Sequence, residues 1–171
     1  MECYEYILDE MRNSLQIVKE SGVNEDCVRE KIFLHRLGKI LKNSMIPKDE
    51  DVTCFIIEEL EVMRKSFPLN QLEDVQDYLA ELIDEIRITF FRTSFSYFFI
   101  KKKDVKIIRN DGTMVVITGR SLNIFSDSIT GRTPDGEYVN VLFSDIKLRG
   151  GIESASKKER LAIALIRRKK P

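Results

Sequence analysis

Apolar residues recur every three or four positions through the first hundred residues, and then the period changes to two. "YEYILDEMRNSLQIVKE" places Tyr4, Ile7, Leu8, Met11, Leu15 and Val18 on one helical stripe. "SGVNED" closes that helix with Gly22 and offers Asn24 as the next N-cap. "DCVREKIFLHRLGKILKNS" continues the pattern through Val28, Ile32, Phe33, Leu37, Ile40 and Leu41, and Pro47 breaks the chain. "EDVTCFIIEELEVMRKSF" repeats it through Val52, Phe55, Ile56, Leu60 and Met63, up to Pro68. A fourth and longer helix, "LEDVQDYLAELIDEIRITFFRTSFSYFF", keeps Leu72, Val75, Leu79, Leu82, Ile86, Phe90 and Tyr97 near heptad spacing. Four amphipathic helices with short connections predict a bundle.

Beyond Lys103 the strand period takes over. "DVKIIRNDGTMVVITG" sets Asn110-Asp111-Gly112 between two β-rich runs, a hairpin signal. "SLNIFSDSITGRTPDGEYVNVLFSDIKL" adds three short runs separated by "SDS" and "TPDG", the latter with Pro134, Asp135 and Gly136 in turn-favouring order. Five short strands suggest a small barrel or curled sheet, since closure removes exposed edges. "RGG" ends the sheet, and "SASKKERLAIALIRRKKP" reads as a last helix with Ser156 and Glu159 spaced as a capping box. The expected class is therefore α+β: a four-helix bundle over residues 1–100, then a small five-stranded β barrel or sheet with a C-terminal basic helix over residues 104–171.

Charge follows the same division. Residues 1–100 hold 12 lysines and arginines against 20 acids, a net −8, and residues 101–171 hold 16 against 8, a net +8. Such a split points to two modules and to an anionic partner for the second. The basic residues that suit phosphate contact are Lys101, Lys102 and Lys103, and on the last helix Lys157, Lys158, Arg160, Arg167, Arg168, Lys169 and Lys170. They would bind nucleic acid weakly, without sequence preference and with strong salt dependence. The last helix also carries an apolar face of Leu161, Ile163, Ala164, Leu165 and Ile166, which suits protein docking equally well.

At the boundary, Phe90, Phe91, Phe95, Tyr97, Phe98 and Phe99 crowd into ten residues. Base-stacking platforms usually sit on sheets with spaced aromatics. Phe90, Phe91, Phe95, Phe98 and Phe99 lie on a helix instead, and so read as core, or as an interface between bundle, barrel or subunits. A membrane span needs about 20 apolar residues; here Glu85, Arg87 and Arg92 interrupt one side and the lysines close the other. The acidic start "MECYEYILDEM" lacks the basic region of a signal peptide. Three scattered cysteines, Cys3, Cys27 and Cys54, fit a reducing, intracellular (cytoplasmic) setting better than a disulfide scaffold.

Catalysis has little local footing. His35 is the single histidine and lies on a helix with no serine or cysteine at motif spacing. There is no CxxC for zinc, no GxGxxG and no GxxxxGK[ST]. No catalytic residue, metal or cofactor is assigned.

Two stretches carry a family resemblance. Arg36-x-x-Lys39-Ile40, followed by Glu58-Glu59 on the next apolar helix, resembles the Arg-x-x-Lys-Ile and Glu-Glu pattern of the helical domain of the archaeal GINS family, the replication-fork scaffold. Asp135-Gly136-x-Tyr138, then Asp145-Ile146, then a short helix ending "LIRR", resembles the end of that family's small domain. The resemblance implies no catalysis, a tetrameric homo- or hetero-oligomer built from helical-domain contacts, and protein partners: the replicative helicase, a RecJ-like or Cdc45-type protein, and primase or polymerase. From the residues alone two other readings stay open: an Sm-like or SH3-like small barrel that binds RNA or DNA directly, with a helical dimerisation module, and an enzyme-regulatory subunit.

Overall fold

The computed structural model describes residues 3–21, 25–44, 49–67 and 72–156. Four helices come first: α1 (Cys3–Ser21), α2 (Glu25–Ser44), α3 (Glu50–Lys65) and α4 (Glu73–Lys101). Each falls where the apolar period places it. Asp49 caps α3, its carboxylate accepting from the Asp51 N–H (2.8 Å) and the Val52 N–H (3.3 Å).

The chain forms two compact units, Met1–Thr89 and Phe90–Pro171. In the first, α1 buries Ile7, Leu8, Met11, Leu15 and Val18, as its stripe requires. α3 buries Cys54, Ile56, Ile57, Leu60 and Met63, and α4 buries Val75, Leu79, Leu82, Ile83 and Ile86. Arg12 on α1 pairs with Glu59 on α3. Lys31 on α2 donates to Asp74 on α4 (2.8 Å); this hydrogen bond holds the Asp74 carboxyl below its usual range and the Lys31 ammonium above its own. α2 departs from expectation. It buries Cys27, Leu34, Leu37 and Leu41, whereas Val28, Ile32, Phe33 and Ile40 stay exposed. The helix is apolar on two faces, and periodicity does not say which of the two finds neighbours.

The second unit opens with residues 90–101 of α4, so the division falls within that helix rather than after its end. Six strands follow: β1 (Val105–Ile108), β2 (Met114–Ile117), β3 (Asn123–Ile124), β4 (Ser128–Arg132), β5 (Tyr138–Leu142) and β6 (Ile152–Ser154). They make two antiparallel three-stranded sheets, ordered β2-β1-β6 and β3-β4-β5. In the first, Ile107 faces Val115 and Ile152, and Lys106 bonds across to Glu153 at 3.0 Å. In the second, Thr130 faces Asn123 and Asn140.

The two expected glycine turns join the strands they were assigned to. Gly112 N–H bonds to Arg109 O (2.9 Å) between β1 and β2, and Gly136 N–H bonds to Thr133 O (2.8 Å) between β4 and β5. Gly136 takes φ +91°, a region other residues avoid.

The expected five-stranded barrel or curled sheet is corrected on two counts. A sixth strand, β6, pairs with β1 just after the "GG" taken to end the sheet; three residues are too few to show a period. The ladder also fails to run round. Between the sheets it is replaced by single links, Thr118 N–H to Arg132 O (2.9 Å) and the lone bridge of Arg109 with Ile146. β2 and β6 edge the first sheet and β3 and β5 the second, so no continuous ladder closes either sheet on itself. The expected C-terminal helix lies outside the described residues.

The core of this unit joins helix to sheet. Phe91 and Phe95 of α4 lie against Phe143, with ring centroids 5.6 and 5.9 Å away, the second pair stacked at 12°. Val105, Ile107, Val116, Ile117, Leu122, Ile129, Val141 and Ile146 are buried in the same unit.

Candidate interaction surfaces

Burial sorts the phenylalanine cluster. Phe90, Phe91, Phe95 and Phe98 are buried within the single chain. Phe99 is different: it is 51 % exposed. It follows Phe98 by 100° around the helix and so leaves the buried face. Tyr97 and Ile100 are exposed beside it.

The end of α4 shapes what surrounds Phe99. Lys103 N–H bonds to Phe98 O (3.1 Å) and Lys102 N–H to Phe99 O (3.4 Å), the pairing of a Schellman cap. That cap needs a left-handed residue, and the chain supplies Lys102 with φ +52° where glycine is usual. Lys101, Lys102 and Lys103 are all exposed as a result. Lys103 Nζ donates to the Tyr97 hydroxyl (3.1 Å) and stands 5.5 Å from the centre of that ring.

The turn after β2 then packs against this cap. Gly119 N–H bonds to Asp104 Oδ1 (2.9 Å). A Cβ at Gly119 would stand 2.3 Å from the Lys102 carbonyl carbon and 2.4 Å from Lys103 O, so only glycine permits the approach. The approach carries Arg120 to the lysines. A shallow hollow of about 460 Å³ lies there, lined by Phe99, Ile100, Lys102, Gly119 and Arg120. A second, of about 370 Å³, is lined by Arg92 and Ser96 of α4, by Phe99 again, and by Asn123, Ile124 and Phe125 of β3 and its following residue. Phe125 is 50 % exposed. Neither lining contains a carboxylate. Asp104 is occupied by Gly119, and Asp127, exposed in the turn after β3, lines neither hollow.

The sequence pointed to Lys101–Lys103 and did not point to Arg92, Arg120, Asn123 or Phe125. Arg92 shares α4 with Phe99, two turns earlier, whereas the Gly119 approach brings Arg120 and the placing of β3 brings Asn123 and Phe125. Lys157, Lys158, Arg160, Arg167, Arg168, Lys169 and Lys170 lie outside the described residues.

The helical unit has its own exposed surface. On α2, Val28, Ile32, Phe33 and Ile40 are between 41 and 57 % exposed. Arg29, His35, Arg36 and Lys39 are exposed with them, and Glu30 is part-exposed. The Arg36-x-x-Lys39-Ile40 motif thus stands in the open. His35 lies against Tyr78, ring centroids 3.7 Å apart. Among the described residues no three of His, Cys, Asp and Glu gather as metal ligands, and no helix is long and apolar enough to cross a membrane. Cys3, Cys27 and Cys54 are not joined in disulfides. Comparison with known protein families, with curated proteins and with solved structures finds no match to this chain.

Proposed function

We propose that this chain is a non-catalytic scaffold subunit of a DNA replication complex, of the GINS kind, whose helical unit docks onto protein partners. The observation that carries the reading is the outer face of α2. Four large apolar side chains there are about half exposed, with the cations Arg29, Arg36 and Lys39 exposed among them. A monomer does not usually leave so wide an apolar surface to water, and such a patch marks a protein contact. The residues of the family resemblance, Arg36, Lys39 and Ile40, stand on this same face. The partners proposed are those the resemblance implies: the replicative helicase, a RecJ-like protein, primase or polymerase, and further subunits of the same assembly.

The test is sedimentation of the full chain alone and mixed with each of those partners. A complex is expected, and the double substitution Ile32→Asp, Ile40→Asp is expected to abolish it. Both positions are exposed, so the urea midpoint should hold. A chain that stays monomeric, and joins none of the partners, refutes the reading.

A further inference from the structure

We propose that the surface around Phe99 binds single-stranded nucleic acid, with bases stacked on Phe99 and Phe125 and phosphates held by Arg92, Lys102 and Arg120. The inference stands on the second unit and does not rest on the scaffold reading. Three features lead to it.

The first is charge. The two hollows share Phe99, and their linings hold three cations and no carboxylate. A polyanion that follows both hollows meets a cation in each. The second is the pair of flat rings. Phe99 and Phe125 come from α4 and from the residue after β3, and each leaves about half its surface in water while lining one hollow. Bases stack on such rings whatever their identity. Its volume, about 370 Å³, lies in the ~300–1,000 Å³ range of small-molecule sites. Asn123, at its wall, brings an amide that can donate to and accept from a base edge. The third is backbone strain. Lys102 keeps a left-handed conformation that glycine would adopt freely, and conformations of this kind cluster where a side chain serves a site.

Together these features favour a single strand. In a duplex the bases are stacked inside, and the rings would meet only phosphate and sugar. An acidic peptide would satisfy the cations and leave the paired rings unexplained.

The chain contains no tryptophan, so Phe99→Trp in the full-length protein places its sole indole in the site. Titration with an oligo-dT of about 12 nucleotides is expected to quench that emission, because a stacked base quenches indole, with the midpoint of wild-type anisotropy. Phe99→Ala and Phe125→Ala are each expected to weaken binding by about 5- to 150-fold, the span for losing one stacked base. Arg120→Gln is expected to make the slope of log affinity on log salt shallower by ~0.7, one phosphate contact. Urea midpoints equal to wild type establish that the variants fold. Replacing Arg167, Arg168, Lys169 and Lys170 together with Gln should leave the quench saturable. Four results would each overturn the proposal: no binding at low salt; binding that leaves the indole emission unmoved; wild-type affinity in both alanine variants; or poly-glutamate or duplex DNA matching oligo-dT in affinity and quench, which assigns the surface to acidic proteins or to phosphate alone.

Discussion

Lys102 illustrates a residue whose local preference and whose place disagree. Its φ of +52° belongs to the Schellman cap of α4, and a side chain with a Cβ is disfavoured there. Lys102→Gly is therefore expected to raise stability by roughly 0.5–1 kcal/mol. The same change should weaken oligonucleotide binding and flatten its salt dependence. Urea unfolding and a two-salt titration check the two halves; a variant that is both less stable and unchanged in binding refutes the account.

Tyr78 is the second informative residue. Burial, and after it the charges of Glu85 and Glu81, push its phenol from 10.0 up to about 12. The unfolded chain ionises this group near 10, while the folded chain still holds the proton. The folded state thus binds more protons between pH ~10 and ~12, and stability falls as pH rises through that window. Below it the group contributes no pH dependence. Tyr78→Phe is expected to remove this part of the alkaline loss, measured as the difference in urea midpoint between the two proteins along a pH series.

Among the elements, α4 has two roles. Its first turns bury Val75, Leu79, Leu82, Ile83 and Ile86 in the first unit, and its last turns bury Phe91 and Phe95 against Phe143 within the second. Phe143→Ala should cost about 3–5 kcal/mol, the usual loss for a core phenylalanine, read from chemical denaturation. The turn after β2 is the other sensitive element. Gly119→Ala sets a methyl against Lys102 and Lys103 backbone, which cannot step aside as a side chain would. A loss of about 1–3 kcal/mol is expected, together with weaker oligonucleotide binding because Arg120 is carried away from the lysines. α2 shows the reverse case: its exposed apolar face is spare to the fold, which is why changes at Ile32 and Ile40 should affect assembly and leave stability.

For the whole molecule, what matters is where one unit stops. The strand period starts at Asp104, and a division there looks natural in sequence. A fragment starting at Asp104 would lack the two rings that cover Phe143. It is expected to lose near-ultraviolet dichroism and bind hydrophobic dye, as loosely packed states do. A fragment starting about one helical turn before Phe90 keeps those rings and is expected to unfold cooperatively. If both fragments fold equally well, the rings of α4 are not part of that unit's core. The charge split, −8 over residues 1–100 against +8 over residues 101–171, puts the change of sign at the end of α4.

The four helices, the two turns at Gly112 and Gly136 and five of the six described strands were legible along the chain, because each depends on neighbours within a few residues: a period, a cap, a positive φ. Tertiary structure decided the rest. α2 carries two apolar faces of similar quality, and only the packing of α1 and α4 selects Leu34, Leu37 and Leu41 over Val28, Ile32 and Ile40. β6 is three residues long and exists because β1 has a free edge. Phe99 differs from Phe98 in the sequence by nothing but position, yet one is core and the other surface, since successive helical residues point 100° apart. Arg92 stands two turns before Phe99 on the same helix, a local spacing. Arg120, Asn123 and Phe125 hold no motif spacing; they meet Phe99 through the close approach of Gly119 and the placing of β3, which are long-range events that no local pattern encodes.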